Sequence, residues 1–164
     1  MKKTLVVFGS STGNCQSFAE IIAQKIKADI IDVSNININK LAEYDNLVLG
    51  TSTWGAGEMQ DDWYDGIKNL KDADLSGKTV ALFGCGDADS YGDTFCGGMR
   101  EIYDILKDSG ANIVGGVDAE EYTFDDSESV IDGKFVGLAL DVNEDEDKSE
   151  GRIDNWIQSI SNSL

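Results

Sequence analysis

Residues 4–26 read TLVVFGSSTGNCQSFAEIIAQKI. The opening TLVVF is a short apolar run that does not alternate with polar residues, the pattern of a strand covered on both faces. From Cys15 onward, Phe18, Ala19, Ile22, Ala23 and Ile26 return at steps of three and four, which draws one apolar face of a helix. Between the two lies GSSTGNC (9–15), a loop of glycines and neutral donors. A buried strand leading through a loop into an amphipathic helix is the opening unit of a parallel sheet. Parallel neighbours need crossovers, and those crossovers are right-handed.

The same alternation continues along the chain. NLVLGT (46–51), TVALFG (79–84) and NIVGGV (112–117) read as further covered strands, and DIIDV (29–33) as a weaker one nearer an edge. Trp63, Ile67 and Leu70 mark one helical face, Met99, Ile102, Tyr103 and Leu106 another, and Ile153, Trp156, Ile157 and Ile160 a closing one. The expected fold class is α/β, a doubly wound, five-stranded parallel sheet with helices on both faces. In such sheets ligands bind at the carboxyl ends of the strands, near the topological switch point. Residues 118–151 form a longer acidic interval, within which KFVGLAL (134–140) reads as an extra strand and DVNEDEDKSEG (141–151) as a solvated loop, with a docking surface as the sharper alternative. Repeats and linkers are absent, and 164 residues suit one domain.

Thirteen Lys and Arg against thirty-one Asp and Glu give a net charge of −18. That field repels nucleic acid and anionic membrane alike, so a macromolecular partner is expected to be basic at its contact face. There is no histidine, which removes the commonest general base and metal ligand together. Cys15, Cys85 and Cys96 form no CxxC pair and leave an odd thiol, which favours a reducing compartment. MKKTLVVFGSST is too short in its apolar part for a signal peptide, nothing approaches a membrane span, and a cytoplasmic location is expected.

Three loops of unusual composition are candidates for the binding rim. In GSSTGNC the amides of Ser11 to Cys15 would stand at a helix start where the dipole is positive, a natural seat for phosphate. Ser10, Thr12 and Asn14 add neutral donors, and Gly13 lets the backbone close on the oxygens. The missing lysine argues against a magnesium-dependent nucleoside triphosphatase. From this loop alone, a plain helix cap by Ser11 or Thr12 is an equally open reading. TSTWGAGE (51–58) sets Trp54 among hydroxyls and glycines, and GCGDADSYGDTFC (84–96) sets Tyr91 between Asp89 and Asp93. Taken singly, Trp54 reads more readily as core and Tyr91 as surface. Together, one phosphate cradle and two aromatics on one rim describe a slot for a flat, phosphorylated, aromatic ligand.

These motifs resemble the flavodoxins, small FMN-containing electron carriers, and the resemblance covers the whole chain. Ser10, Thr12 and Gly13 match the family's [ST]-x-T-G-x-T loop, with Cys15 where the final threonine would stand. TSTWGAGE matches the tryptophan loop, and Asp87, Tyr91 and Cys96 fall at the expected offsets of the tyrosine loop. EEYTFDDSESVIDGKFVGLAL (120–140) resembles the insertion, here placed at about 118–140, that splits the last strand in the long-chain branch. The resemblance implies strand order 2-1-3-4-5 and FMN as cofactor. Ser10, Ser11, Thr12, Gly13, Asn14 and Cys15 would hold its phosphate, and Ser52 and Thr53 would line the ribityl chain. Trp54 and Tyr91 would cover the two faces of the ring, backbone groups near Gly55, Asp87, Thr94 and Cys96 would meet its polar edge, and Ala56, Gly57, Cys85, Gly86 and Phe95 would also bind the cofactor. It also implies a turnover of the Gly55–Ala56 peptide on one-electron reduction, and a monomer meeting basic reductases and oxidoreductases in transient complexes. The expected function is a low-potential, one-electron carrier working through semiquinone and hydroquinone states rather than an enzyme. The alternative is an FMN-dependent quinone or azo-compound reductase on the same fold, which would need a substrate cavity over the ring.

Overall fold

The computed structural model describes residues 3–10, 13–54 and 57–164, and of Trp54 the main chain only. Chain order begins β1 (Thr4–Gly9), α1 (Asn14–Ile26), β2 (Asp29–Asp32), α2 (Ile38–Ala42), β3 (Asn46–Trp54), β4 (Glu58–Met59), α3 (Trp63–Asp72), β5 (Thr79–Gly86), α4 (Met99–Leu106) and β6 (Asn112–Val114). It closes with β7 (Val117–Asp118), β8 (Val130–Ile131), β9 (Lys134–Phe135), β10 (Leu138–Asp141) and α5 (Glu146–Ile160).

The main sheet runs β2-β1-β3-β5-β10, all parallel, with β6 also pairing with β5. Apart from the short strand β4, this is the 2-1-3-4-5 order expected of the fold. Leu5 and Val7 join one core with Leu47, Leu49, Val80 and Leu82, packed by Trp63, Ile67 and Leu70 of α3 and by Met99, Ile102 and Leu106 of α4. Val6 and Phe8 join the other with Val48, Ala81 and Phe83, packed by Ala19, Ile22 and Ala23 of α1 and by Ile153, Trp156 and Ile160 of α5. Successive side chains point to opposite faces of a strand, so a sheet with a core on each face needs apolar residues at every position. This is why TLVVF does not alternate. β2 lies at the edge, and Asp29 and Ile30 are exposed there, which accounts for its weaker signal.

Four readings of the late chain need correction. NIVGGV is not one strand: β6 stops at Val114, and Gly115 turns the chain at φ 91. KFVGLAL is two strands in two sheets. Lys134 and Phe135 pair antiparallel with β7 and β8, whereas Leu138 to Asp141 lie parallel to Phe83–Gly86 of β5. β6 covers only the first half of β5, Thr79 to Ala81. The fifth strand is therefore split, and the intervening segment is 115–137 rather than 118–140. Gly137 is the joint, because a Cβ there would run into the Leu82 backbone. The acidic tract 141–151 is also partly helical. Asp145 caps α5 by accepting from the Lys148 amide at 2.8 Å, and Glu146 and Asp147 occupy its first turn, where the helix dipole favours negative charge.

Candidate functional site

The carboxyl ends of β1, β3 and β5 stand side by side, with Gly9 in register with Thr51 and Ser52 with Cys85. The three singled-out loops leave from these ends, so the topology gathers them on one rim.

In the first loop, Gly13 caps α1 at φ 91, ψ −12, with no side-chain cap and no acidic residue in the first turn. An uncapped helix start leaves amide donors and a positive dipole end facing outward. Among the described residues, a Cβ on Gly13 would meet nothing within 4 Å. The Gly13 amide donates to Ser10 Oγ at 3.1 Å. Having accepted that bond, the Ser10 hydroxyl still has its own proton to donate. Asn14 is exposed at the helix start. Cys15 has its side chain wholly buried in the core on the α1 and α5 face, so it can offer a ligand its main chain alone. Ser11 and Thr12 lie outside the described residues.

The second loop is a hairpin. Thr53 pairs antiparallel with Met59 and Trp54 with Glu58. Gly57 sits at φ 94, where a side chain would strain the backbone. Gly55, Ala56 and the Trp54 side chain lie outside the described residues. Below the turn, buried Thr51 Oγ1 accepts from the Gln60 amide at 2.9 Å and donates to the Ser52 carbonyl at 2.8 Å. Thr53 Oγ1 accepts from the Gly98 amide at 3.1 Å, tying this hairpin to the third loop. That approach excludes side chains: a Cβ on Gly97 would lie 3.1 Å from the Gly57 carbonyl, and one on Gly98 2.9 Å from the Ser52 carbonyl.

In the third loop, Asp87 Oδ1 accepts from the amides of Ser90 at 2.8 Å and Asp89 at 3.1 Å, and from Asn143 Nδ2. The Ser90 amide first, then Asn143, hold this carboxyl below the ordinary range. Tyr91 is 61% exposed, its ring presented at the rim. Gly86 is half-buried against the returning loop, since a Cβ there would lie 2.8 Å from the Cys96 amide. Thr94 is half-buried next to the Gly57 turn.

Three residues expected around a ligand are placed differently by their side chains. The Phe95 ring is 1% exposed and packs against Tyr122, Phe124 and Phe135 at centroid distances of 6.1, 5.6 and 5.8 Å. Its amide is taken by the Asp126 carbonyl at 3.2 Å. An apolar ring with aromatic neighbours available gains more from burial there than from a ligand edge. The buried Cys85 thiol is hydrogen-bonded with that of Cys15, and this contact, with burial, raises its pKa. Cys96 is buried at φ 53, its Sγ directed at the carbonyls of Gly84 (3.6 Å) and Leu140 (3.8 Å), and burial raises its pKa. The Cys85 thiol links β5 to α1 within the core, and the Cys96 thiol holds the third loop against β5 and β10.

The sequence reading missed the supports of the third loop: Asn143, Asp141 and the inserted segment. Asn143 reaches Asp87 across 56 residues, and Asp141 Oδ1 accepts from the Ala88 amide at 3.4 Å. Both sit in the acidic tract, where only their position just after a strand end marked them.

None of the thirteen cationic side chains falls within 9–15, 51–58 or 84–96. The acids cluster instead. Burial first, then the charges of Glu58, Glu128 and Asp104, raise the pKa of Glu101. Tyr64 is raised by burial and by Glu101, Glu58 and Asp61. The hairpin thus borders a field hostile to added negative charge. Among the described residues, no group of three or more His, Cys, Asp or Glu could hold a metal ion, and no helix is long and apolar enough to cross a membrane.

The flavodoxin family profile matches residues 6–156 of the chain. The chain is 40% identical to the flavodoxin of Buchnera aphidicola over 164 residues, covering 98% of this chain and 96% of that protein. It is 39% identical to flavodoxin 1 of Escherichia coli K12 over 168 residues, covering 100% and 96%. A crystal structure of Fusobacterium nucleatum flavodoxin bound to flavin mononucleotide superposes with a TM-score of 0.92 at 30% identity, covering 100% of this chain and 99% of that one.

Proposed function

Because this chain belongs to the flavodoxin family, we propose that it is a low-potential one-electron carrier whose FMN is held at the rim formed by the ends of β1, β3 and β5. FMN supplies the redox chemistry when bound; the chain binds it, orients it and sets its electrostatic surroundings. One observation carries the assignment of the site: an uncapped helix start behind a left-handed glycine, a strand pair ending at Trp54 and Glu58, and an exposed tyrosine stand at adjacent strand ends. The residues fit the cofactor. Asn14 and Cys15 offer main-chain donors, with Ser11 and Thr12 before Gly13 in sequence, Gly13 gives the backbone its left-handed turn, and Ser10 adds a hydroxyl proton for a terminal phosphate. Ser52 and Thr53 line the way from that cradle to the hairpin. Trp54 and Tyr91 cover the flat ring, and Gly57, at φ 94, follows Gly55 and Ala56 in the sequence at the ring's edge. Main-chain groups of Gly86, Asp87, Thr94 and Cys96 face the polar edge.

Charge sets the potential more than any single hydrogen bond. One net bond is worth about 1 kcal/mol, whereas one carboxylate about 10 Å from an added negative charge costs roughly 1.7 kcal/mol at an effective dielectric of 20, and several add. Asp87, Asp89, Asp93 and the Glu58 cluster supply such charges, and no cation in the three loops offsets them. The reading as a quinone or azo-compound reductase is not favoured, since the relatives are flavodoxins by name. The whole chain acts as one domain, a monomer in the cytoplasm. Its partners are redox proteins basic at the contact face, drawn by the −18 net charge and released after transfer. Purified protein should be yellow, and anaerobic reduction should proceed in two resolved one-electron steps. Colourless protein that ignores added FMN would sink the reading, and a single two-electron step would sink its electrostatic half.

A further inference from the structure

The sheet divides the three cysteines between its two faces. Cys96 belongs to the core on the α3 and α4 side, its Sγ directed at the Gly84 and Leu140 carbonyls at 3.6 and 3.8 Å. Cys15 and Cys85 belong to the core on the α1 and α5 side, 0% and 2% exposed, with their thiols hydrogen-bonded to one another. Cys15 lies in the first turn of α1, directly after Asn14 and the left-handed Gly13 cap. Cys85 is in register with Ser52 of β3 and is followed by Gly86 and Asp87 of the third loop. A pair of thiols in contact thus joins the start of α1 to the root of that loop. The start of α1 has neither a side-chain cap nor an acidic residue in its first turn. Helix ends open locally at little cost, the more so without a cap, and such opening uncovers Cys15.

We propose that Cys15 and Cys85 form an oxidisable dithiol, a modification site whose co-reactant is a hydroperoxide and whose disulfide weakens the grip on FMN. With the helix start open, the Cys15 sulfur attacks the peroxide; the O–O bond breaks, the thiol becomes a sulfenic acid and the departing oxygen leaves as water with the thiol proton. The Cys85 sulfur then displaces the sulfenic hydroxyl, which leaves as a second water with the Cys85 proton, and the S–S bond forms. Two thiols are oxidised and one peroxide is reduced. While the pair is closed, the hydrogen bond to Cys15 and burial keep Cys85 protonated and unreactive. Transient disulfides of this kind are the sort that reducing compartments contain. A disulfide draws its sulfurs to about 2.05 Å, closer than hydrogen-bonded thiols, so it pulls the first turn of α1 towards β5 and displaces the Asn14 and Cys15 amides. The coupling to FMN rests on the reading above; the disulfide itself does not.

The test treats the apoprotein and the FMN-saturated protein with hydrogen peroxide, alkylates the remaining thiols in denaturant, and reads intact mass and peptide map. The apoprotein should end with one alkylated cysteine, Cys96, and a Cys15–Cys85 link. FMN, by closing the helix start, should slow that reaction about tenfold. The oxidised protein should bind FMN about tenfold more weakly, within the ordinary span of coupling between two sites, and dithiothreitol should restore the affinity. In Cys85→Ala, peroxide should leave the FMN dissociation constant where it was before treatment, and Cys15→Ala serves in its place if that variant does not fold. Three alkylated thiols after peroxide, a link through Cys96 or a dimer joined through Cys15 overturns the proposal. A Cys15–Cys85 link with unchanged FMN affinity overturns the coupling, as does a peroxide-induced loss of affinity in the alanine variant. Untreated protein that binds no FMN would bring down the FMN reading, and the mass and peptide map would still decide the disulfide.

Discussion

Replacing Gly13 by alanine separates the phosphate cradle from everything else in the site. Gly13 sits at φ 91, and a Cβ there would meet nothing within 4 Å among the described residues, so the substitution carries no clash with them. What remains is the left-handed penalty of roughly 1–2 kcal/mol, partly offset by about 0.4–1 kcal/mol from the reduced freedom of the unfolded chain. The net is about 0–1.6 kcal/mol. For a chain of this size, about 2–4 °C per kcal/mol gives a fall of at most about 6 °C in the melting temperature of the apoprotein. Gly77→Ala is a matched control, because Gly77 has φ 77 and equally open space before β5, at the end of the sheet away from the rim. Both variants should lose similar stability by circular dichroism melting. Only Gly13→Ala should weaken FMN binding, by several-fold, since its methyl enters the space over the uncapped helix start. Riboflavin, which lacks the phosphate, should bind Gly13→Ala like wild type. A parallel loss for both flavins, or none for either, would refute the phosphate cradle. A melting drop far above 6 °C would refute the open space.

Three further outcomes follow from other parts of the molecule. Arg152 lies 3.8 Å over the Tyr122 ring, with Nε 3.1 Å from both Glu144 oxygens in a largely buried pair. Arg152→Met should therefore cost about 3 kcal/mol, or roughly 6–12 °C in melting temperature, and a loss below 1 °C would show the pair to be idle. Asp87 has a depressed folded pKa. Its stabilisation is present above the ordinary carboxylate pKa and fades as pH falls through the lower folded value. Asn143→Ala should lower the melting temperature near neutrality, and its gap from wild type should close in strong acid; a gap constant with pH would contradict this. Electron transfer to a basic redox partner should slow steeply as salt rises, because the Debye length shrinks from about 10 Å at 0.1 M to about 3 Å at 1 M. Stopped-flow rates indifferent to ionic strength would remove the case for electrostatic docking.

The sequence by itself determined the layered α/β architecture and the three rim loops. Both are local signals: TLVVF shows a strand buried on both faces, Cys15 to Ile26 a helix with one apolar face, and the glycines around Gly13, Gly57 and Tyr91 the loops between. It did not determine where NIVGGV ends, how KFVGLAL divides, or that Phe95 turns inward. Those outcomes depend on partners distant in the chain. Gly137 divides KFVGLAL because the Leu82 backbone lies against it, and Phe95 is buried because Tyr122, Phe124 and Phe135 surround it. The same holds for Asn143 on Asp87 and Ser129 on Cys96, bonds that span 56 and 33 residues. Periodicity reports which face of an element is apolar, whereas a hydrogen bond between distant residues forms only once the packed sheet has brought its two ends together.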